Sequence, residues 1–250
     1  MGDLCMDTGL FWCVRSVESP ESVQRKACFQ EDTRMKATLT ISSKNYSSWA
    51  LRAWLLCKMA GLDVDEEFVP PDEPSMRAEL LLLSPSFLVP RLTHAGISVW
   101  DTLAIGEYLN EAFPHAELLP ADRAMRAHCR SICGEMHSGF HNLRSALPMN
   151  LRAHYPDHGI WAGAQADVDR ITAIWHECLK TYGGPHLFGK PSMADAMYAP
   201  VCTRFRTYDV KLPRDCAAYC AGILEWPYMM EWLRDARGEP DELAELDLLR

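Results

Sequence analysis

The stretch from Ala37 to Gly61, ATLTISSKNYSSWALRAWLLCKMAG, constrains the chain more than any other. In its first part Ala37, Leu39 and Ile41 alternate with Thr38, Thr40 and Ser42, the period of a strand. Polar residues follow: Ser43, Lys44, Asn45, Tyr46, Ser47 and Ser48. The next residues predict a helix that is apolar nearly all round, with Trp49, Leu51, Trp54, Leu55, Leu56 and Met59, interrupted only by Arg52 and Lys58. Such a helix must be covered on most faces, so a sheet on one side and another large body on the other are expected. Hydroxyls therefore sit where a strand turns into a buried helix, whose first N–H groups lack internal partners and favour an anion. On this stretch alone Ser47 or Ser48 reads first as a plain N-cap, a common use of serine, and as a hydroxyl for a bound thiolate second.

The chain has 250 residues and is 48% hydrophobic, enough for one large or two small domains. A net charge of −9 argues against a general partner among nucleic acids or anionic membranes. No apolar run reaches the length of a membrane span. The ten cysteines have the spacing of neither a zinc site nor a redox CxxC. Cys129 and Cys133, like Cys216 and Cys220, are four apart in helical segments, which fits buried free thiols and a reducing cytoplasm.

Residues 1–34 have no sustained period and read as a poorly ordered extension. Their apolar centre, Leu10 to Val14, is too short for a secretory signal and has no basic flank before it. A small α/β layer domain is expected over 35–114. Val64 to Val69 predicts its second strand, Ser75 to Leu83 a short helix, Val89 to Leu92 a third strand and Ile97 to Trp100 a fourth. Asp101 then starts a helix that Pro114 stops. A linker over 115–122 leads to an all-helical domain over 123–250. Met125, Cys129, Ile132, Cys133, Met136, Phe140 and Leu143 predict one continuous helix from Ala121 to Leu147. A second helix carries Val168, Ile171, Trp175, Leu179 and Tyr182, and a third opens with the capping-box spacing of Ser192 and Asp195. A last helix spans Arg214 to Arg237 with a break near Pro227, and an acidic tail from Glu239 is placed on the surface.

Two further pieces carry chemistry. Val89-Pro90 opens a strand after a polar loop, where a cis bond would leave the Val89 backbone able to pair with an extended peptide. An ordinary trans proline at a strand edge fits the same residues. Asp101 fits an N-cap, and Thr102 offers a hydroxyl and an unpaired N–H suited to a ligand carboxylate.

These pieces, in this order and from Lys36 to about Gly238, resemble the cytosolic glutathione transferases. The resemblance implies a thioredoxin-like glutathione-binding domain followed by an all-α domain with an electrophile pocket. It implies that Ser47 activates the glutathione thiol, that Val89 before a cis Pro90 pairs with the cysteinyl part, and that Asp101 and Thr102 hold the γ-glutamyl end. It makes Tyr46, Met136, Phe140 and Arg144 candidates for the pocket wall. It also implies glutathione as co-substrate, no metal, a small hydrophobic electrophile as partner, and a homodimer built on the helices Asp101–Phe113 and Ala121–Leu147. A catalytically silent binding or regulatory module of the same fold is the rival.

Departures matter. Phe87-Leu88 stands where the family often has Gly-Lys, so a lysine contact to the glycyl carboxylate is missing, with Lys44 or Arg91 as substitutes. Tyr46 is a rival hydroxyl to Ser47. His137 and His141 are four apart, but with Arg130 and Arg144 they read as a polar stripe or a site wall rather than as metal ligands.

Overall fold

The computed structural model describes residues 37–69 and 89–239. The expectations for residues 1–34, for the helix Ser75–Leu83, for Phe87-Leu88 and for the tail beyond Glu239 lie outside the described residues. Among the described residues, four strands form one sheet in the order β2-β1-β3-β4. These are β1 (Ala37–Ile41), β2 (Val64–Phe68), β3 (Arg91–His94) and β4 (Ile97–Trp100).

β1 runs parallel to β2, with Leu39 opposite Glu66, and the helix α1 (Ser48–Ala60) makes the crossover. β3 is antiparallel to both its neighbours, with Thr40 opposite Arg91 and Arg91 opposite Trp100. Two direction reversals leave β1 and β4 pointing the same way. Consequently the end of β1, the start of β3 and the end of β4 share one edge of the sheet, and α1 and α2 (Thr102–Ala112) both begin there. The expected bounds for the third strand sit two residues early, because Val89 and Pro90 precede the ladder.

α1 is covered on most faces, as its composition requires. Leu51, Trp54, Leu55 and Leu56 are buried, each worth about 1.5–3 kcal/mol relative to exposure. It packs against α2 and against α6 (Met193–Thr207), the buried central helix of the second half. Gly61 ends α1 in the left-handed conformation at φ 72°, its N–H bonding back to the last turn.

The remaining helices are α3 (Arg123–Ser138), α4 (His141–Ala146), α5 (Ala162–Tyr182), α7 (Arg214–Leu224) and α8 (Pro227–Arg237). The expected single helix from Ala121 to Leu147 is therefore two. Gly139 donates to Glu135 O to close α3, and Phe140 at φ 60° turns the chain before α4. A Cβ on Gly139 would lie 2.7 Å from Glu135 O. The apolar period hides this break because Phe140 and Leu143 remain in the core on both sides of it. The break near Pro227 and the capping contact from Ser192 N–H to Asp195 Oδ2, 2.8 Å, are as expected. Cys57, Cys129, Cys133, Cys178, Cys202, Cys216 and Cys220 are buried free thiols, and burial pushes Cys57 up to about 12.

Candidate functional site

The shared sheet edge collects the sequence motifs. Ser47 is the N-cap of α1: its Oγ accepts from Ala50 N at 3.2 Å, and the side chain is buried. The capping use is thus real. It occupies a lone pair of the hydroxyl oxygen. Val89-Pro90 is cis and buried at the start of β3. Gly184-Pro185 is a second cis bond that the sequence did not single out.

Asp101 holds φ 75° and caps α2, its Oδ1 accepting from Leu103 N at 2.8 Å and Ala104 N at 3.2 Å. Its Oδ2 faces His137 Nε2 of α3 at 3.1 Å. Burial raises its pKa, but His137 and the two N–H donors outweigh that and hold the carboxyl below the usual range. Thr102 is 1% exposed, and its Oγ1 meets no protein partner among the described residues. A hydroxyl sealed from water without a partner is costly, and at a helix start it marks a place for an acceptor.

The expected stripe of Arg130, His137, His141 and Arg144 does not survive the break at Gly139. Arg130 lies outside and pairs with Glu107 at 2.8 Å, whereas His141 is exposed. His137 turns to Asp101 and packs its ring on Trp49 with centroids 5.1 Å apart. Arg144 is buried, and donates to Gly139 O and Met136 O at the end of α3. Of the other wall candidates, Met136 is a core residue, 1% exposed, and Phe140 is buried at the helix break. Tyr46 is buried, with its hydroxyl 3.4 Å from Arg152 Nη2.

Lys44 is committed elsewhere. Its ammonium lies between Glu66, 2.6 Å, and Asp235, 3.0 Å. Arg91 is the freer of the two substitutes, its buried Nε having no acceptor among the described residues. Among the described residues no cluster of side chains could hold a metal ion.

Residues 46–112 match the family described as glutathione S-transferase, N-terminal domain. Over 171 residues the chain is 30% identical to a probable maleylacetoacetate isomerase of Caenorhabditis elegans, covering 66% of this chain and 77% of that protein. Over 165 residues it is 37% identical to glutathione S-transferase 1 of Dianthus caryophyllus, covering 65% and 75%. The chain belongs to the glutathione S-transferase family. A glutathione transferase homologue from Burkholderia, solved with bound glutathione, shares the fold with a TM-score of 0.61 at 23% identity, over 81% of this chain and 98% of that one.

In this transferase the sequence missed several residues of the site region. Trp49, in the first turn of α1, has two guanidiniums close to its ring: Arg52 Cζ is 4.6 Å and Arg144 Cζ 4.7 Å from the centroid. Arg52 on a face that had to be covered was the available signal. The contact of His137 with Asp101 needs the tertiary fold to be seen. So does Glu239, whose carboxylate accepts from Ser43 Oγ, Lys44 N and Asn45 N at 2.8 to 2.9 Å. Its placement on the surface is corrected: the residue is half-buried against the loop that carries Ser47.

Proposed function

We propose that this glutathione transferase binds glutathione along the shared sheet edge and presents its thiolate to an electrophile, by conjugation, isomerisation or thiolysis. The observation that carries the reading is the buried, unpartnered Thr102 hydroxyl at the start of α2, on the same sheet edge as Ser47 at the start of α1. Thr102 and Asp101 take the γ-glutamyl carboxylate and amine. The Val89 backbone pairs with the cysteinyl unit, and Ser47 donates to sulfur. A free thiol of pKa about 8.5 must drop by ~2 units to ionise at neutral pH, which is ~2.7 kcal/mol. A helix N-terminus supplies about 0.3–1 kcal/mol, and a hydrogen bond to a charged acceptor about 1.5–3 kcal/mol. Ser47 at the head of α1 therefore accounts for the activation without a metal.

Relatives named as maleylacetoacetate isomerases and glutathione S-transferases support an enzyme rather than a silent module. The reading extends to a homodimer through α2 and α3 in the cytoplasm, to a thioredoxin-like domain over 35–114, a linker over 115–122 and a helical domain over 123–250. Titration calorimetry with millimolar glutathione tests it: saturable heat is expected, and none at all would refute it.

A further inference from the structure

The loop that leads from β1 into α1 is buried although it is a run of polar residues. Ser43, Lys44, Asn45, Tyr46 and Ser47 are each no more than 6% exposed. A buried loop has to satisfy its backbone N–H and C=O groups inside the protein. Here partners come from the far end of the chain. One carboxylate, that of Glu239 just beyond α8, takes three donors. Lys44 N donates to Oε1 at 2.9 Å, while Asn45 N and Ser43 Oγ donate to Oε2 at 2.8 and 2.9 Å. Successive N–H groups converging on one anion form a nest, and bonds to an ionised acceptor are roughly twice as strong as neutral ones. Ser43 Oγ in turn accepts from Tyr46 N at 3.1 Å, so a chain of hydrogen bonds runs from the carboxylate to the residue before Ser47. Glu239 is itself held: Arg152 Nη1 donates to its carbonyl at 2.8 Å, and Arg152 N shares the Asn45 side-chain oxygen with Leu151 N.

This hold differs in kind from the salt bridge beside it. Asp235 meets the ammonium of Lys44, at the end of a long side chain. Glu239 meets the backbone, at two peptide N–H groups within three residues of Ser47. The hydroxyl of Ser47 moves with that backbone. A hydrogen bond to a thiolate is directional, and a misplacement of about 1 Å costs up to about a hundredfold in rate.

We infer that Glu239 is a positioning residue for the reaction: its carboxylate sets the loop that presents Ser47 to the glutathione sulfur. The inference rests on the glutathione-dependent reading above and adds to it a group that acts through Ser47. Activation of the thiol then depends on a residue that follows the last helix, 192 positions from the hydroxyl it steers.

The test compares Glu239→Gln with Asp235→Asn in the full chain. Each removes one carboxylate, from the loop backbone in the first and from the Lys44 side chain in the second. A carboxamide has one oxygen where the Glu239 carboxylate uses two, and it turns an NH2 toward a donor. Loss of a negative charge by itself makes a nearby thiol ionise more readily, so the charge effect alone lowers the thiol pKa of bound glutathione. In Glu239→Gln that pKa, followed by thiolate absorbance, should instead rise by about half a unit to one unit, because the loop no longer holds Ser47 in place. The measurement needs binding alone. With 1-chloro-2,4-dinitrobenzene the thiolate sulfur bonds the carbon bearing chlorine, and chloride leaves with the bonding pair. Its kcat should fall about three- to tenfold, part of what full loss of the Ser47 bond gives. KM for glutathione should stay within about twofold, since Val89 and Thr102 are untouched. Asp235→Asn should melt lower and show neither change. An unchanged or lowered thiol pKa in Glu239→Gln would overturn the inference. So would an equal rise in both variants, since general loosening would then be the cause. Amide hydrogen exchange over residues 43–47, read without glutathione, is the second measurement. Faster exchange in Glu239→Gln alone supports the inference, and exchange as slow as in the wild type, or equally quickened in both variants, refutes it. Absence of saturable heat with glutathione on the wild-type chain would strike the functional reading instead, and the exchange result would then decide the hold of Glu239 on the loop.

Discussion

Buried cations of two kinds border the entry to α1. Lys44 has two carboxylates, Glu66 at 2.6 Å and Asp235 at 3.0 Å, and lies over the rings of Trp54 and Trp232. The backbone around it is tied down as well. Trp232 Nε1 donates to Lys44 O, and Glu239 takes the N–H groups of Lys44 and Asn45. The arginines around Trp49 have carbonyls and one hydroxyl instead. Charge balance separates the two regions: Lys44 joins α8 to the sheet through carboxylates, whereas Arg52 and Arg144 rest on neutral acceptors.

The sharpest way to break that comparison is to remove one cation from each region. Lys44→Met leaves Glu66 and Asp235 facing each other without their partner, at a cost of about 3–5 kcal/mol of stability. Arg144→Met removes an unbalanced charge together with two hydrogen bonds to carbonyls, and these effects offset to within about 1 kcal/mol. Thermal unfolding should place the first variant roughly 10 °C below the wild type and the second within a few degrees of it. Equal losses would mean that the arginines are fastenings too.

Ser47 stands between the two regions, and its substitution sharpens the contrast on the kinetic side. Losing one hydrogen bond to a thiolate costs about 1.5–3 kcal/mol, so Ser47→Ala should slow turnover about ten- to a hundredfold. Its Ala50 N–H loses a cap as well, worth about 1 kcal/mol of stability. The thiol pKa of bound glutathione, followed by thiolate absorbance, should rise. Tyr46→Phe should leave it alone, and the reverse pattern would make Ser47 only a cap. Thr102→Val comes next in size. It removes the unpartnered hydroxyl and should weaken glutathione binding by about 1 kcal/mol, close to fivefold in calorimetry, without destabilising the empty protein.

The α/β order, the capped helix starts and the break at Pro227 were legible because each is written locally, in a period, a cap or a proline. The motifs at Ser47, Val89-Pro90 and Asp101-Thr102 were legible as pieces, and the strand directions explain why they meet. The break at Phe140 was not, since a left-handed residue inside an unbroken apolar period leaves no mark in that period. Nor was the pairing of Lys44 with Asp235, 191 positions away, or the placing of Arg52 and Arg144 on one ring. Charges whose partners lie across the fold are invisible to spacing, and so is the lack of a partner.

Acid titration gives the smallest effect and the last test of the comparison. Burial raises the pKa of Asp235, but Lys44 and then Arg234 outweigh it and hold the carboxyl below its usual value. A depressed folded-state pKa contributes stability that is present above the unfolded value, near 3.9, and is lost as pH falls through the folded one. The arginines have the opposite sign. A base whose folded pKa is lowered carries its cost at every lower pH, with relief only above about 9 for Arg204 and about 10 for Arg144. Acid therefore loosens the balanced region and leaves the arginine group as it was. Melting temperature should fall between pH 5 and pH 3 in the wild type, modestly, because Asp235 is one-third exposed and screened. In Lys44→Met the fall over that window should shrink without vanishing, since His137 still holds Asp101 down and Arg130 still holds Glu107 down. In Arg144→Met it should match the wild type. A slope that shrinks equally in both variants would show that the two regions share one electrostatic network, and the distinction between balanced and unbalanced cations would be lost.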